Sequence, residues 1–227
     1  MKNFFGFIAV ASALLIGGLD LTSQSFAAPS ALGGAGGEAL FNSKKCNECH
    51  QVKAPAKGKT IQDAMSKKGP ELWYAGSKFR EGFLKEWLAH PKPIRPMAYY
   101  SLTERNKGDH PRLSSNDAAS VAEYLMSLKT PEVKPGSAKA ADSVKGRVIF
   151  EKKLGCYGCH QVSKGDYAVG GLSGPTLIGA GKRLTPEWVY AYLMNPKYFG
   201  GVTGMPVFTG VLGNEEMKIL AEYVSTL

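Results

Sequence analysis

The chain has 227 residues, of which 44% are hydrophobic and 21% are charged, and its formal net charge at pH 7 is +9. This length allows two small domains, each with a modest core. Apart from the N-terminal segment, no stretch is apolar enough to span a membrane, which excludes a multi-span membrane protein. The basic balance indicates an acidic protein partner or an anionic lipid surface.

Residues 1–27 have the pattern of a secretory signal peptide. Lys2 precedes a largely apolar run that Asp20 closes, and Ser25-Phe26-Ala27 then forms a small-x-Ala cleavage pattern. An uncleaved membrane anchor is the alternative, but the apolar run is short for a span. We therefore expect export with cleavage after about Ala27, and an exported protein rarely meets nucleic acid.

Two copies of the pattern Cys-x-x-Cys-His use all four cysteines of the chain, from Cys46 to His50 and from Cys156 to His160. This pattern is the attachment signature of c-type haem, in which two thiolates add to the porphyrin vinyl groups and the histidine ligates the iron. Such haem is attached on the periplasmic side in bacteria, which agrees with export to the periplasm. We expect two covalent c-type haems, attached by Cys46, Cys49, Cys156 and Cys159 and ligated by His50 and His160.

Two other interpretations of the cysteine pairs have weaker support. A zinc site built from both pairs would join positions 110 residues apart and would not need the adjoining histidines. A disulfide or thiol redox pair would be expected beside a βαβ pattern, and neither motif has that context.

The motifs belong to an internal repeat. Gly69-Pro70 after the first motif matches Gly174-Pro175 after the second at an offset of 105 residues, and the closing Ala-Glu-Tyr segments match at an offset of 99. The first copy therefore carries extra residues, mostly within 98–113. The repeat predicts an N-terminal domain over residues 34–130, a linker over 131–141 and a C-terminal domain over 142–227.

Each copy is predicted to be mostly helical, with weak strand signals throughout. One helix from about Gly82 to Ala89 and its partner from about Pro186 to Met194 end before His-Pro and Asn-Pro steps. The two closing segments place apolar residues on one helical face. The expected N-caps of these closing helices are Ser115 or Asn116 in the first copy and Asn214 in the second.

A haem iron held by one histidine needs a second axial ligand or keeps an open site. Met97 and Met205 lie 47 and 45 residues after the motif histidines, each beside a proline and before the closing helix. Methionine is often core filler, but matched loop positions indicate that both ligate iron. His90 and His110 are the only histidines outside the motifs, and either could replace Met97 as the ligand of the first haem.

Each copy resembles a class I c-type cytochrome domain, and the tandem resembles the dihaem cytochrome c4 family. The resemblance covers almost all of residues 34–227 and rests on the two motifs and on Met205-Pro206, whereas the first copy has Met97-Ala98 where Met-Pro is usual. It implies an all-α fold with two tandem class I cytochrome c domains, each wrapped around one covalent haem. The family fold further implies these contacts: Gly37 and Phe41 with Tyr124, Gly146 and Phe150 with Tyr223, and the Pro70 and Pro175 carbonyls with the motif histidines.

Histidine and methionine at both irons leave no place for a substrate, so one-electron transfer is the expected chemistry. We expect a periplasmic carrier, not an enzyme, between a donor complex and an oxidase or reductase. Its partners would be redox proteins with an acidic docking surface, and association with a membrane complex is compatible with this role. The alternatives are a dihaem subunit of a dehydrogenase, a dihaem peroxidase and a haem-based gas sensor, of which the last two need an open iron site.

Overall fold

The computed structural model describes residues 33–99 and 101–227, together with Met1. The predicted cleavage site after Ala27 lies outside the described residues. In the first copy the helices are α1 (Gly33–Ser43), α2 (Ile61–Met65), α3 (Ala75–Lys78), α4 (Phe83–Ala89) and α5 (Ser115–Ser127). In the second copy the elements are α6 (Val144–Val148) with a π-helical turn (Ile149–Lys153), β1 (Val162–Lys164), β2 (Tyr167–Val169), α7 (Ala180–Arg183), α8 (Pro186–Met194), α9 (Pro196–Gly200) and α10 (Asn214–Val224).

The expectation of a mostly helical chain is confirmed, and the predicted bounds of α8 are those observed. Two helix starts differ from the prediction by one residue. Ser114 caps α5 by accepting the Asp117 N–H at 3.2 Å, and Gly213 is the N-cap of α10, so that Asn214 is its first helical residue. Among the described residues, no helix combines the length and apolar character needed to cross a membrane.

The small antiparallel hairpin of β1 and β2 was not expected from the sequence. Val162 lies opposite Val169, and Tyr167 opposite Lys164. Its side chains are largely exposed, so the alternation of buried and exposed residues that marks a strand in sequence is absent.

The first and last helices of each copy cross at a glycine, which has no side chain to keep the two helices apart. A Cβ on Gly37 of α1 would lie 2.2 Å from the Ser120 carbonyl oxygen of α5, and one on Gly146 of α6 would lie 2.5 Å from Tyr223 Cβ of α10. Both crossings implied by the family resemblance are confirmed. The matching ring contacts are Phe41 with Tyr124, with centroids 5.6 Å apart, and Phe150 with Tyr223, with centroids 5.7 Å apart.

The two copies meet through equivalent residues. The offset of 105 residues that relates the copies also relates α3 to α7, and Phe79 and Leu184, which follow these helices, form an antiparallel backbone bridge. Two backbone hydrogen bonds of 2.9 Å flank the bridge: Arg80 N–H to the Arg183 carbonyl and Thr185 N–H to the Lys78 carbonyl. Phe79 pairs with its own counterpart, and the offset of 105 residues converts each flanking hydrogen bond into the other, so the contact has pseudo-two-fold symmetry.

Aromatic side chains of both copies form a shared core next to this bridge. The Trp73 ring lies 5.3 Å from that of Tyr198, and the Tyr74 ring lies 5.0 Å from Phe199 and 6.2 Å from Trp188. Stacked and edge-to-face aromatic pairs contribute about 0.5–1.5 kcal/mol each beyond their buried area. The contact between the copies is therefore a packed core.

Residues 131–141, predicted as a linker, lie against the second copy. The Val133 side chain is buried, Gly136 N–H donates to Glu187 Oε1 at 3.2 Å, and Ala141 N–H donates to the Glu222 carbonyl at 3.2 Å. These bonds attach the segment to α8 and α10 and hold the chain in place where it passes from one copy to the other.

Candidate haem-binding sites

Each Cys-x-x-Cys-His motif begins in a 3-10 turn, Cys46–Glu48 or Cys156–Gly158, and a residue with φ of 60° precedes it in both copies. The N–H of His50 donates to the Cys46 carbonyl at 2.9 Å, and the N–H of His160 donates to the Cys156 carbonyl at 3.1 Å. The backbone therefore sets the spacing between the first thiol and the imidazole in the same way at both sites.

The ring of each motif histidine is oriented by a proline carbonyl. His50 Nδ1–H donates to Pro70 O at 2.8 Å, and His160 Nδ1–H donates to Pro175 O at 2.7 Å, which confirms the contacts implied by the family resemblance. This leaves Nε2 of each ring free to bind a metal, an arrangement that is usual for metal-ligating histidines. Burial lowers the pKa of both imidazoles, which favours the neutral form that ligates iron.

The first thiol of each motif lacks the lowered pKa that is typical of redox-active pairs. All four cysteines are unpaired, and burial raises the pKa of the Cys156 thiol to about 11 and also raises that of Cys46. Redox-active thiol pairs have a lowered pKa instead. In the described part of the chain, no group of three or more His, Cys, Asp or Glu side chains is arranged to hold a metal ion.

Two equivalent cations lie beside the motif histidines. Burial lowers the pKa of Lys78 to about 8 and that of Arg183 to about 10, and the Lys78 ammonium lies 4.6 Å from the centroid of the Trp188 ring. The Lys78 charge further lowers the pKa of His50, and the Arg183 charge does the same for His160, each as a minor cause after burial. A positive charge thus accompanies each site at the contact between the copies.

Three buried donors near this contact have no hydrogen-bond partner among the described residues: Trp73 Nε1, Trp188 Nε1 and Arg95 Nε. Buried N–H groups in native proteins are nearly always paired, so unpaired ones call for a missing acceptor. Haem carries two propionate carboxylates, which suit such donors and the two cations. The thiols, neutral imidazoles, cations and unpaired donors together fit one haem in each copy. Motif reasoning missed these groups, although the matched positions of Lys78 and Arg183 in the repeat were a usable signal.

The two predicted methionine ligands have different surroundings. Met205 is half-buried, and its N–H donates to Thr203 Oγ1 at 3.1 Å, while that hydroxyl lies 3.3 Å from Tyr192 OH of α8. Met97 is buried, forms a backbone bridge with Arg105, and lines a surface pocket together with Ser173 of the second copy. Ligation of iron by Met97 and Met205 stays a prediction.

The two remaining histidines also differ. The His110 ring lies 6.1 Å from that of His50 between centroids and packs edge-on against Trp87 at 4.6 Å. His90 is exposed, and its Nδ1 accepts a hydrogen bond from Arg112 at 3.1 Å. The structure therefore brings His110 to the first haem site and leaves His90 at the surface.

Comparison with known proteins identifies the family of this chain. The model of the family described as Cytochrome c matches the chain twice, over residues 34–129 and 143–227. Comparisons with curated proteins and with solved structures gave no match. Each family match contains one complete Cys-x-x-Cys-His motif with its histidine–proline hydrogen bond. The chain therefore belongs to the cytochrome c family, with two cytochrome c domains in tandem, and its family implies covalent c-type haem and electron transfer.

Proposed function

We propose that the protein is a periplasmic dihaem carrier of single electrons between a donor complex and an oxidase or reductase, related to the cytochrome c4 family. The observation that carries this proposal is the double family match, with an equivalent thiol, imidazole and proline arrangement in each match. In this proposal the haems are attached by Cys46, Cys49, Cys156 and Cys159 and ligated by His50 and His160.

Met205 is the proposed sixth ligand of the second haem. Its loop is tied to α8 through Thr203 and Tyr192, which suits a ligand that must hold one position in both redox states. The first haem has two candidates, Met97 from the repeat and His110, whose ring lies 6.1 Å from that of His50.

When bound, the two haems supply reversible one-electron chemistry. The residues of the chain orient and tune that chemistry. The Pro70 and Pro175 carbonyls hold the motif imidazoles in one orientation and increase their basicity. Lys78 and Arg183 would offer positive charge to the propionates of a bound haem. Two protein ligands to each iron would keep substrates from it, as expected of a carrier.

The packed contact between the copies supports a relay through both sites. The backbone bridge of Phe79 with Leu184 and the aromatic core beside it join the regions that carry the two motifs. Because these contacts resist rearrangement, the two sites keep a constant separation while charge changes, and a constant separation suits transfer from one site to the other.

The net charge of +9 supports docking to redox proteins with an acidic surface, and it is also compatible with association with a membrane complex. A dihaem subunit of a dehydrogenase would share all of these features. A peroxidase would need one iron to lose its sixth ligand, and a candidate ligand at each site favours the carrier.

Three measurements test the proposal. Haem determination on the purified chain should give two haems per polypeptide, and mass spectrometry of the periplasmic protein should show cleavage after about Ala27. Carbon monoxide added to the reduced protein should leave the visible spectrum unchanged, because both irons are six-coordinate. A large spectral shift would contradict the carrier and favour a peroxidase or a gas sensor.

A further inference from the structure

We infer that His110 is the sixth ligand of the first haem, so that the first haem is ligated by two histidines while the second has one histidine and Met205. This inference rests on the proposed function, since it requires haem in the first copy. It assigns the extra loop of that copy, residues 98–113, a role in holding iron.

The rings of His50 and His110 lie at a distance that suits two ligands of one iron. The centroids of His50 and His110 are 6.1 Å apart. Two imidazoles that ligate one metal ion from opposite sides have centroids about 6 Å apart, with ~2 Å for each metal–nitrogen bond and ~1.1 Å from each nitrogen to its ring centre. The observed distance therefore suits two imidazoles that ligate one iron from opposite sides.

The Nδ1 atom of His110 makes the same kind of hydrogen bond as the Nδ1 atoms of the two motif histidines. His110 Nδ1–H donates to the Pro111 carbonyl at 3.0 Å, as His50 and His160 donate to Pro70 and Pro175. This bond places the free lone pair of His110 on Nε2, the atom that would ligate iron. His90 Nδ1 instead accepts a hydrogen bond from Arg112, so the only other spare histidine lacks this arrangement.

The surroundings hold His110 in place. The Trp87 indole of α4 packs edge-on against its ring at 4.6 Å, and Trp87 Nε1–H donates to the Lys92 carbonyl at 2.9 Å, which orients the indole. Three residues after His110, the Leu113 N–H donates to the Leu88 carbonyl of α4 at 3.0 Å. The loop is therefore attached to the helix that also carries the packing partner of the imidazole.

Met97 occupies the base of the same loop in another role. Besides the Met97–Arg105 bridge, the neighbouring Ala98 N–H donates to the Glu104 carbonyl at 2.9 Å, and the pocket beside Met97 includes Leu172 and Ser173 of the second copy. The pocket places Met97 next to the second copy. The second copy has no histidine outside its motif, so a histidine pair can form only in the first copy.

Different axial ligands at the two irons would give electron transfer through the carrier a preferred direction. A thioether ligand raises the reduction potential relative to a second imidazole, so the first haem would have the lower potential. Electrons would then enter at the first haem and leave from the second, across the contact between the copies.

The test uses the full-length holoprotein and the near-red charge-transfer band that arises from a methionine–iron bond. Wild-type protein should show the band at the intensity of one haem out of two. Met205→Leu should abolish it, and Met97→Leu should leave it unchanged. His110→Met should double it, and His110→Ala should let carbon monoxide bind to one reduced haem, whereas the matched control His90→Ala should change neither property.

A wild-type band at the intensity of two haems, or its reduction by half in Met97→Leu, would overturn the assignment. The wild-type measurement needs no variant, so it can overturn the assignment even where a substitution prevents folding. Failure of the proposed function has a different signature, namely fewer than two haems per chain or binding of carbon monoxide by the wild-type protein.

Discussion

Gly174→Ala provides a direct test of how the second proximal histidine is held. A Cβ at residue 174 would lie 2.6 Å from His160 Cε1 and 2.7 Å from its Nδ1, whereas ordinary van der Waals contact begins at 3.4 Å. The imidazole must therefore move by about 0.8 Å (3.4 − 2.6), or the backbone must yield by as much. Such a shift lengthens the 2.7 Å bond from His160 Nδ1 to Pro175 O to about 3.5 Å, the limit for a hydrogen bond.

The expected effect on the second haem follows from this lost bond. The Pro175 carbonyl increases the basicity of the imidazole, which stabilises the oxidised iron, so its loss should raise the reduction potential. A hydrogen bond contributes about 0.5–1.5 kcal/mol. At 59 mV for a tenfold change in a one-electron equilibrium, the potential should rise by roughly 20–60 mV. Overpacking should also lower the free energy of unfolding by about 1–3 kcal/mol.

Spectroelectrochemical titration, which resolves both midpoint potentials, is the assay. Only one potential should move in Gly174→Ala, and only the other in Gly69→Ala, since a Cβ on Gly69 would lie 2.6 Å from His50 Cε1. The control is Gly158→Ala within the second motif, where a Cβ would meet nothing within 4 Å. If Gly174→Ala keeps both haems and both wild-type potentials, or if Gly158→Ala shifts them equally, the reasoning is refuted.

Three further variants test the fold and the contact between the copies. Gly37→Ala should lower the free energy of unfolding in urea by about 1–3 kcal/mol, because α1 can no longer approach α5. The control Gly36→Ala, whose Cβ would meet no atom within 4 Å, should raise this free energy by about 0.5–1 kcal/mol. Equal effects of the two substitutions would contradict the helix crossing. Thr185→Val removes the hydrogen bond from Oγ1 to the Ser77 carbonyl (2.6 Å) and the N-cap acceptor of α8. It should lower the free energy of unfolding by about 1–3 kcal/mol in the same assay. An unchanged urea midpoint would show that the Thr185 hydroxyl does not stabilise the contact between the copies. Lys78→Met should lower one midpoint potential by roughly 20–60 mV, because a cation beside a haem disfavours the oxidised iron. The control Lys85→Met, on the exposed face of α4, should leave both potentials unchanged. Identical redox titrations of the two variants would place Lys78 away from the haem.

The features that sequence predicted well are those whose cause is local or repeated. The Asn-Pro step after Met194 ends α8 where it was expected, because a residue before proline is biased away from helical conformation. The histidine–proline hydrogen bonds and the helix crossings followed from the family resemblance, since glycine and proline at matched positions serve the same contact in both copies.

Other features depend on contacts that a single chain pattern does not reveal. The hairpin at 162–169 is too exposed to alternate in sequence, and α5 begins one residue early because Ser114 competes with Ser115 for the same capping role. The position of His110 depends on how a long loop returns to α4. The sequence could name this histidine as a candidate but could not place it beside His50.

The internal repeat and the differences between its two copies together explain how a duplicated unit could transfer electrons in one preferred direction. The bridge of Phe79 with Leu184 joins equivalent positions and is nearly symmetric, so the contact alone favours transfer equally in both senses. Direction must come from a difference between the sites, and the extra loop of the first copy contains such a difference in His110. A second imidazole at the first iron and a thioether at the second would separate the two potentials while the contact between the copies stayed symmetric. Replacing His110 by methionine should therefore bring the two midpoint potentials closer together, and a separation that remains as in the wild type would show that ligation does not set the direction.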